Sequence, residues 1–110
     1  MTVIGGTTLS MVRGDTETLV VRVPTRPLAE GDILELTVRK RAGSGPALIH
    51  KKLTAFPDGA GTFVFAPEDT AGLEFGTYSY DVQATFTDLG VKTLVKPSDF
   101  VLERENTYAD

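Results

Sequence analysis

The chain contains no cysteine and no tryptophan, and its only histidine is His50. Without cysteine there can be no disulfide bond, thiol nucleophile or thiolate metal site, so the burial of apolar side chains must supply most of the stability. A single histidine cannot build a histidine metal site or a proton relay, and beside Lys51 and Lys52 it is most simply an exposed strand residue. No segment has the ligand spacing of a calcium-binding loop. We therefore expect no metal and no cofactor.

Long apolar runs and an excess of positive charge are also missing. No run of about 18 apolar residues is present to cross a membrane. The opening Met-Thr-Val-Ile-Gly-Gly lacks the basic and apolar segments of a signal peptide. The net charge of −4 disfavours a general affinity for phosphate backbones. The basic residues at 39–41 and 51–52 have no aromatic side chains among them for base stacking. We expect no membrane anchor, no signal peptide and no nucleic-acid partner.

The composition that remains is that of one globular domain. Hydrophobic residues make up 41% of the chain and charged residues 24%, close to the averages for soluble proteins. A chain of 110 residues suits a single core, because two cores would leave neither half enough interior. We predict one domain over residues 1–110, with residues 105–110 as a flexible tail because they show no apolar periodicity.

The spacing of the apolar residues predicts strands. The clearest segment runs from Tyr78 to Phe86, where every second residue is apolar or aromatic and the residues between are polar. Further strands are predicted at 18–23, 34–39 and 63–65, and less regular ones at 7–12, 47–53, 91–95 and 99–103. Seven or eight short strands separated by turn residues predict an all-β sandwich.

One short helical turn is predicted at 67–72. Pro67 suits the first position of a helix, and Glu68 and Asp69 favour the positive end of the helix dipole. Gly72 can adopt the left-handed conformation that ends such a turn. A strand with Tyr78 and Tyr80 two residues apart follows.

This order of elements is how an immunoglobulin-like sandwich crosses from one sheet to the other. In that crossing a tyrosine hydroxyl can bond a backbone group upstream, an arrangement called the tyrosine corner. Tyr78 is the better candidate for it, with Tyr80 facing the same core. The helical turn of that crossing carries Asp69 and Thr70, which we expect to be structural residues. The alternative is that both tyrosines are plain core aromatics.

Together with the Gly14-Asp15 turn, this segment resembles the immunoglobulin-like N-terminal domain of bacteriophage baseplate upper proteins and of related small tail-associated proteins. The matching segments are Arg13-Gly14-Asp15-Thr16, Pro67-Glu68-Asp69-Thr70-Ala71-Gly72-Leu73, Gly76-Thr77-Tyr78-Ser79-Tyr80-Asp81-Val82-Gln83, Thr93-Leu94 and Asp99-Phe100-Val101-Leu102. The resemblance implies an immunoglobulin-like antiparallel β-sandwich and a structural role in a phage tail or baseplate. It also implies other virion proteins as partners, and the virion or the cytoplasm of a prophage-carrying bacterium as location.

Two departures from the family pattern are visible. The family's third strand often carries an aromatic residue, commonly tryptophan, where this chain has Leu34-Glu35-Leu36-Thr37-Val38. The larger members also continue beyond this domain into attachment regions. The Arg13-Gly14-Asp15 tripeptide could alternatively be an integrin-binding loop, but Gly-Asp after a strand is ordinary turn chemistry and is favoured.

The alternation also leaves apolar residues on faces that it assigns to solvent. They are Val20, Ile33, Val64, Val95 and Val101. If they cluster, they form a larger apolar patch than a monomer usually exposes, and they predict an interface for a homo-oligomer. A second route to association is strand exchange by residues 1–12 at the edge of a sheet.

These observations predict a non-enzymatic protein that acts through protein contacts. The acidic residues fall in turns and on polar strand faces, not as a pair converging on a cleft, so we expect no acid–base catalysis. The alternative function is a carbohydrate- or receptor-binding module on the same sandwich. It is less favoured because the tyrosines and most phenylalanines fall in apolar alternation, whereas sugar platforms usually expose aromatic side chains.

Overall fold

The computed structural model describes residues 2–3, 7–24 and 26–104, and it confirms the all-β fold class. The strands are β1 (Thr2–Val3), β2 (Leu9–Val12), β3 (Glu17–Val21), β4 (Ile33–Arg39), β5 (Ile49–Leu53), β6 (Gly61–Phe65), β7 (Gly76–Phe86) and β8 (Gly90–Glu103). A 3₁₀ turn spans Pro57–Gly59, and the helical turn predicted near Pro67 is α1 (Pro67–Ala71). The predicted tail, residues 105–110, lies outside the described residues.

The strands form two sheets. The smaller has the order β1-β3-β6 and the larger the order β2-β8-β7-β4-β5. The expectation of wholly antiparallel sheets is wrong, because β1 pairs with β3 and β2 pairs with β8 in parallel. The N-terminal segment borders first the small sheet and then the large one. Since no hairpin joins it to either neighbour, nothing requires antiparallel pairing there.

The core lies between the two sheets and is lined by the inward-facing residues of each strand. Phe63 and Phe65 face inward from the small sheet, and Tyr80 and Phe100 from the large one, all nearly fully buried. The rings of Phe65 and Phe100 are 5.9 Å apart, and those of Tyr80 and Phe100 are 6.4 Å apart in an edge-on arrangement. Aromatic pairs at these distances add stability beyond their buried area, so these ring contacts stabilise the packing of one sheet on the other.

β8 is one strand where the sequence predicts two, at 91–95 and 99–103. Its pairing with β7 shifts register between Tyr80 and Val82 and again between Val82 and Gln83. Pro97 lacks an amide hydrogen for the ladder, and a bulge is where a strand can hold such a residue. An extra residue reverses which face the following side chains occupy. Val95 is therefore 0% exposed, and its prediction as a solvent-facing interface residue is wrong.

A buried carboxylate holds the loop that leads into β4. Asp32 is 1% exposed, and it accepts hydrogen bonds from the Arg26 guanidinium at 2.7 and 3.2 Å. The backbone amides of Ala29 and Thr87 also donate to Asp32, at 2.9 and 3.0 Å. Arg26 lies 4.5 Å above the ring of Phe86. The hydrogen bonds from Arg26, helped by those from the two amides, lower the pKa of Asp32 to about 2 despite burial.

Candidate functional site

The segments that carry the resemblance contact each other in the fold. The Gly14 amide, in the turn between β2 and β3, donates a 2.9 Å hydrogen bond to the hydroxyl of Thr70 in α1. Thr70 is fully buried, whereas Asp15 is exposed and its backbone amide donates to the Val12 carbonyl at 3.1 Å. Gly14 has a positive φ of 86°, which favours glycine at this turn. The turn and the helix are thus fastened side by side.

Asp69 fastens the start of α1 to β5. Its carboxylate accepts 2.7 Å hydrogen bonds from the Ala66 amide, just before the helix, and from the Lys51 ammonium. An acidic side chain in the first helical turn that reaches back in this way satisfies an amide that the helix leaves free. Partial burial raises the pKa of Asp69, but the bonds from Lys51 and Ala66 outweigh it, and the net pKa lies below its ordinary value.

Tyr78 and Tyr80 are both buried on the core face of β7, and both hydroxyls bond the backbone. The Tyr78 hydroxyl donates to the Glu74 carbonyl, four residues upstream, at 2.7 Å, a contact of the kind that the tyrosine-corner prediction expects. The Tyr80 hydroxyl donates to the Thr7 carbonyl and so connects β7 to the N-terminal segment. Burial raises the pKa of Tyr80 to about 12. Gly14, Asp69, Thr70, Tyr78 and Tyr80 therefore each make a hydrogen bond to another part of the fold, whereas no side-chain hydrogen bond of Asp15 is seen among the described residues.

The valine and isoleucine positions predicted as an interface do not form one patch. Val20 and Val64 are diagonal neighbours on the outer face of the small sheet, where the register pairs Val20 with Thr62. Val64 is 53% exposed. Ile33 and Val101 are half-buried on the large sheet, and they lie near opposite ends of β7. Because Val95 is in the core, only Val20 and Val64 remain adjacent on a surface.

A polar depression lies on the outer face of the large sheet. Its main cavity has a volume of about 160 Å³ and is lined from β4 and β7. A smaller depression shares three of the lining residues and continues toward the loop after β4. We call the two together the outer-face trough. Its lining residues are Glu35, Thr37, Arg39, Arg41, Gly43, Ser79, Asp81, Gln83 and Pro97.

The strand register brings these side chains together. In β4 the outward-facing residues are every second one, and β7 runs antiparallel beside it. The register sets Thr37 opposite Asp81 and Arg39 opposite Ser79. Side chains of opposed residues lie about 5 Å apart, so Arg39 and Asp81 are diagonal neighbours across the trough. Pro97, at the bulge in β8, forms one wall.

The charges in the trough are only partly paired. Glu35 bonds the ring of His50 at 2.8 Å, and the Nε of Arg39 donates to the Gly45 carbonyl at 3.3 Å. The terminal nitrogens of Arg39 make no hydrogen bond to any other described residue. Asp81, although half-buried, forms neither a hydrogen bond nor an ion pair within the described part of the chain. The trough therefore offers both donors and acceptors to a ligand.

The sequence did not identify this trough. In the sequence, residues 39–41 stand out only as part of a basic group without aromatic residues, His50 as an exposed strand residue, and Asp81 and Gln83 as the polar face of a strand. The available signal was a set of charged and amide side chains at alternate positions in the two strands 34–39 and 78–86. That signal predicts a shared site only once the two strands are known to be neighbours.

No protein-family model matches the chain, and no curated protein matches it. In residues 2–3, 7–24 and 26–104 no group of three or more histidine, aspartate or glutamate side chains is placed to hold a metal ion. The same residues include no helix long and apolar enough to cross a membrane. The role of the chain therefore has to be inferred from its own residues and contacts.

Proposed function

We propose that this protein is a non-enzymatic structural or adaptor component of a phage or prophage virion, associated with the tail or baseplate. Its scaffold is an immunoglobulin-like sandwich, and it acts by contact with other virion proteins. The observation that carries the proposal is that two of the segments resembling the baseplate family, residues 13–16 and 67–73, are joined to each other by hydrogen bonds. The Gly14 amide bonds Thr70, and the Arg13 guanidinium donates to the Leu73 carbonyl at 3.3 Å.

The strand order supports the immunoglobulin-like part of the proposal. In an immunoglobulin sandwich the strands C, F and G share one sheet, C′ can extend it, and B and E lie in the other. The order β8-β7-β4-β5 corresponds to G-F-C-C′, and the pair β3-β6 corresponds to B-E. The Tyr78 contact falls at the start of the strand that corresponds to F. Two parallel pairings depart from this scheme: β1 with β3, and β2 with β8.

Purified particles test the virion role. Phage particles released from a strain that carries the gene are separated on a density gradient, and each protein is quantified by mass spectrometry of its peptides. We expect this chain at a constant ratio to the tail proteins across the particle peak, while a non-structural phage protein is lost. Recovery of capsid and tail proteins without this chain would overturn the proposal.

The face with Val20 and Val64 is the part of the predicted interface that supports self-association. Two adjacent apolar residues on an otherwise polar sheet face can bury each other across a two-fold axis. We predict that the purified chain forms an oligomer at high concentration and that Val64→Lys shifts it toward the monomer. Multi-angle light scattering measures both states.

A matched control for this substitution is Val91→Lys. Val91 is 64% exposed and lies at the start of β8, away from the small sheet. The Val91→Lys substitution should leave the mass of the oligomer unchanged. A wild-type chain that stays strictly monomeric, or a Val91 variant that dissociates as much as the Val64 variant, would contradict self-association through this face.

A further inference from the structure

We infer that the outer-face trough binds a neutral polyhydroxylated ligand, that is, a glycan, at a site centred on Arg39 and Asp81. The inference goes beyond the proposed virion role and does not depend on it, because it follows from the shape and chemistry of the trough. The main cavity of about 160 Å³ corresponds to about five water molecules at ~30 Å³ each. It can therefore hold a compact ring that carries hydroxyl groups.

The inventory of donors and acceptors matches hydroxyl groups. The carboxylate of Asp81 only accepts hydrogen bonds, and the terminal nitrogens of Arg39 only donate them. Thr37, Ser79 and Gln83 can do both. A hydroxyl group is donor and acceptor at once, so two neighbouring hydroxyls on a ring can bond Asp81 and Arg39 together. A ligand with only one kind of group would leave half of the trough unpaired.

The balance of charge selects a neutral ligand. Arg39 and Arg41 carry two positive charges, and Glu35 and Asp81 carry two negative ones, so the formal charge of the lining is zero. An anion such as a phosphate would face the two carboxylates, and a cation would face the two guanidiniums. A protein segment would find little apolar surface, since Pro97 is the one apolar side chain among the lining residues. A neutral polar ligand is not repelled by either set of charges, and it does not need an apolar surface.

The state of Asp81 gives a thermodynamic reason for binding. A half-buried carboxylate has lost part of its hydration, and no donor among residues 7–24 and 26–104 replaces it. Hydrogen bonds to charged groups are stronger than those between neutral groups, so ligand hydroxyls that reach Asp81 gain the stronger kind of bond. Because no aromatic ring lines the trough, the ligand is held by hydrogen bonds without ring stacking, and we expect weak binding with fast exchange.

Amide chemical-shift titration of the isotope-labelled chain tests the inference. The neutral probes are glucose, galactose, N-acetylglucosamine and N-acetylgalactosamine, and the anionic probes are glucuronic acid and inorganic phosphate. We expect saturable shifts with at least one neutral sugar, concentrated at Thr37, Arg39, Ser79, Asp81 and Gln83. Shifts that saturate only with the anionic probes would overturn the inference, because the trough would then be an anion site.

Two substitutions with matched controls locate the binding. Asp81→Asn and Arg39→Gln each remove one charged hydrogen-bonding group, and we expect each to weaken binding about tenfold or more. The controls are Asp15→Asn and Arg22→Gln, at exposed positions outside the trough, which should bind as the wild type does. The same spectra show whether every variant is folded.

Other outcomes of these experiments would also overturn the glycan inference. No saturable shift with any neutral sugar, or equal losses in the control variants, would overturn the inference. If Asp81→Asn prevents incorporation into particles while no sugar binds, the trough is a protein contact and the glycan assignment is wrong. Incorporation measured in purified particles is a separate readout, so the virion proposal and this inference can fail independently.

Discussion

Asp32, the last residue of the loop that leads into β4, is 1% exposed, whereas Asp81 lies half-buried on the open face of the large sheet. Each has an arginine in the same region of the fold. The Arg26 guanidinium bonds both oxygens of Asp32, and two backbone amides complete its shell. Arg39 lines the same cavity as Asp81, but no ion pair joins them within the described residues.

This difference separates charges that build the fold from charges that remain available. A carboxylate is buried without great cost only when partners replace its hydration, and Asp32 has four such hydrogen bonds. Asp69 is intermediate, because it is half-buried and has two partners, Lys51 and the Ala66 amide. The three aspartates therefore form a graded series in which the contribution to stability should follow the number of partners.

The largest effect is expected at Asp32. Asp32→Asn keeps the shape of the side chain but removes the buried counter-charge of Arg26 and leaves only the exposed Asp88 carboxylate beside it, and we expect a loss of about 3 kcal/mol in the free energy of unfolding. Urea denaturation measures it. Asp88→Asn is the matched control, because Asp88 bonds the same guanidinium at 3.0 Å from an exposed position. That variant should lose less than about 1 kcal/mol. Equal losses would show that burial of Asp32 contributes nothing.

The stability that Asp32 contributes should depend on pH. The hydrogen bonds from Arg26 lower the pKa of Asp32 in the folded state to about 2, below its ordinary value of 3.8. A lowered pKa means that the folded state prefers the ionised form, so this stability is complete above pH ~4 and is lost as the pH falls toward ~2. The difference in the free energy of unfolding between the wild type and Asp32→Asn, measured by urea denaturation, should therefore become smaller as the pH falls over that interval. A difference that does not change with pH would contradict the idea that the ionised Asp32 carboxylate supplies this stability.

The alternation of apolar residues was enough to predict most of the strands and the core face of β7. It was not enough for β8, because the bulge at Pro97 reverses the faces, and Val95 moved from the predicted surface to the core. Contacts between residues that are distant in the sequence could not be predicted either. Nothing local in the sequence relates Arg26 to Asp88, or Arg39 to Asp81, because strand order and register decide which side chains meet.

A smaller effect is expected at Asp69. Asp69→Ala removes the acceptor for both the Ala66 amide and the Lys51 ammonium, and we expect a loss of about 1 kcal/mol in the free energy of unfolding. Glu68→Ala is the control on the same helical turn, at an exposed position without a described partner, and it should change stability by less than about 0.5 kcal/mol. Equal losses in the two variants would mean that the helix dipole, and not the two contacts, determines the effect.

The smallest effect on stability is expected at Asp81, where the comparison with Asp32 is most direct. Asp81 has no partner among the described residues, so Asp81→Asn breaks no contact and should change the free energy of unfolding by less than about 0.5 kcal/mol. Urea denaturation beside Asp32→Asn gives both values from one method. A loss as large as that of Asp32→Asn would mean that Asp81 holds the fold. A neutral result, combined with loss of sugar binding, would assign the charge of Asp81 to recognition, because the same carboxylate would then matter to a ligand and not to the folded chain.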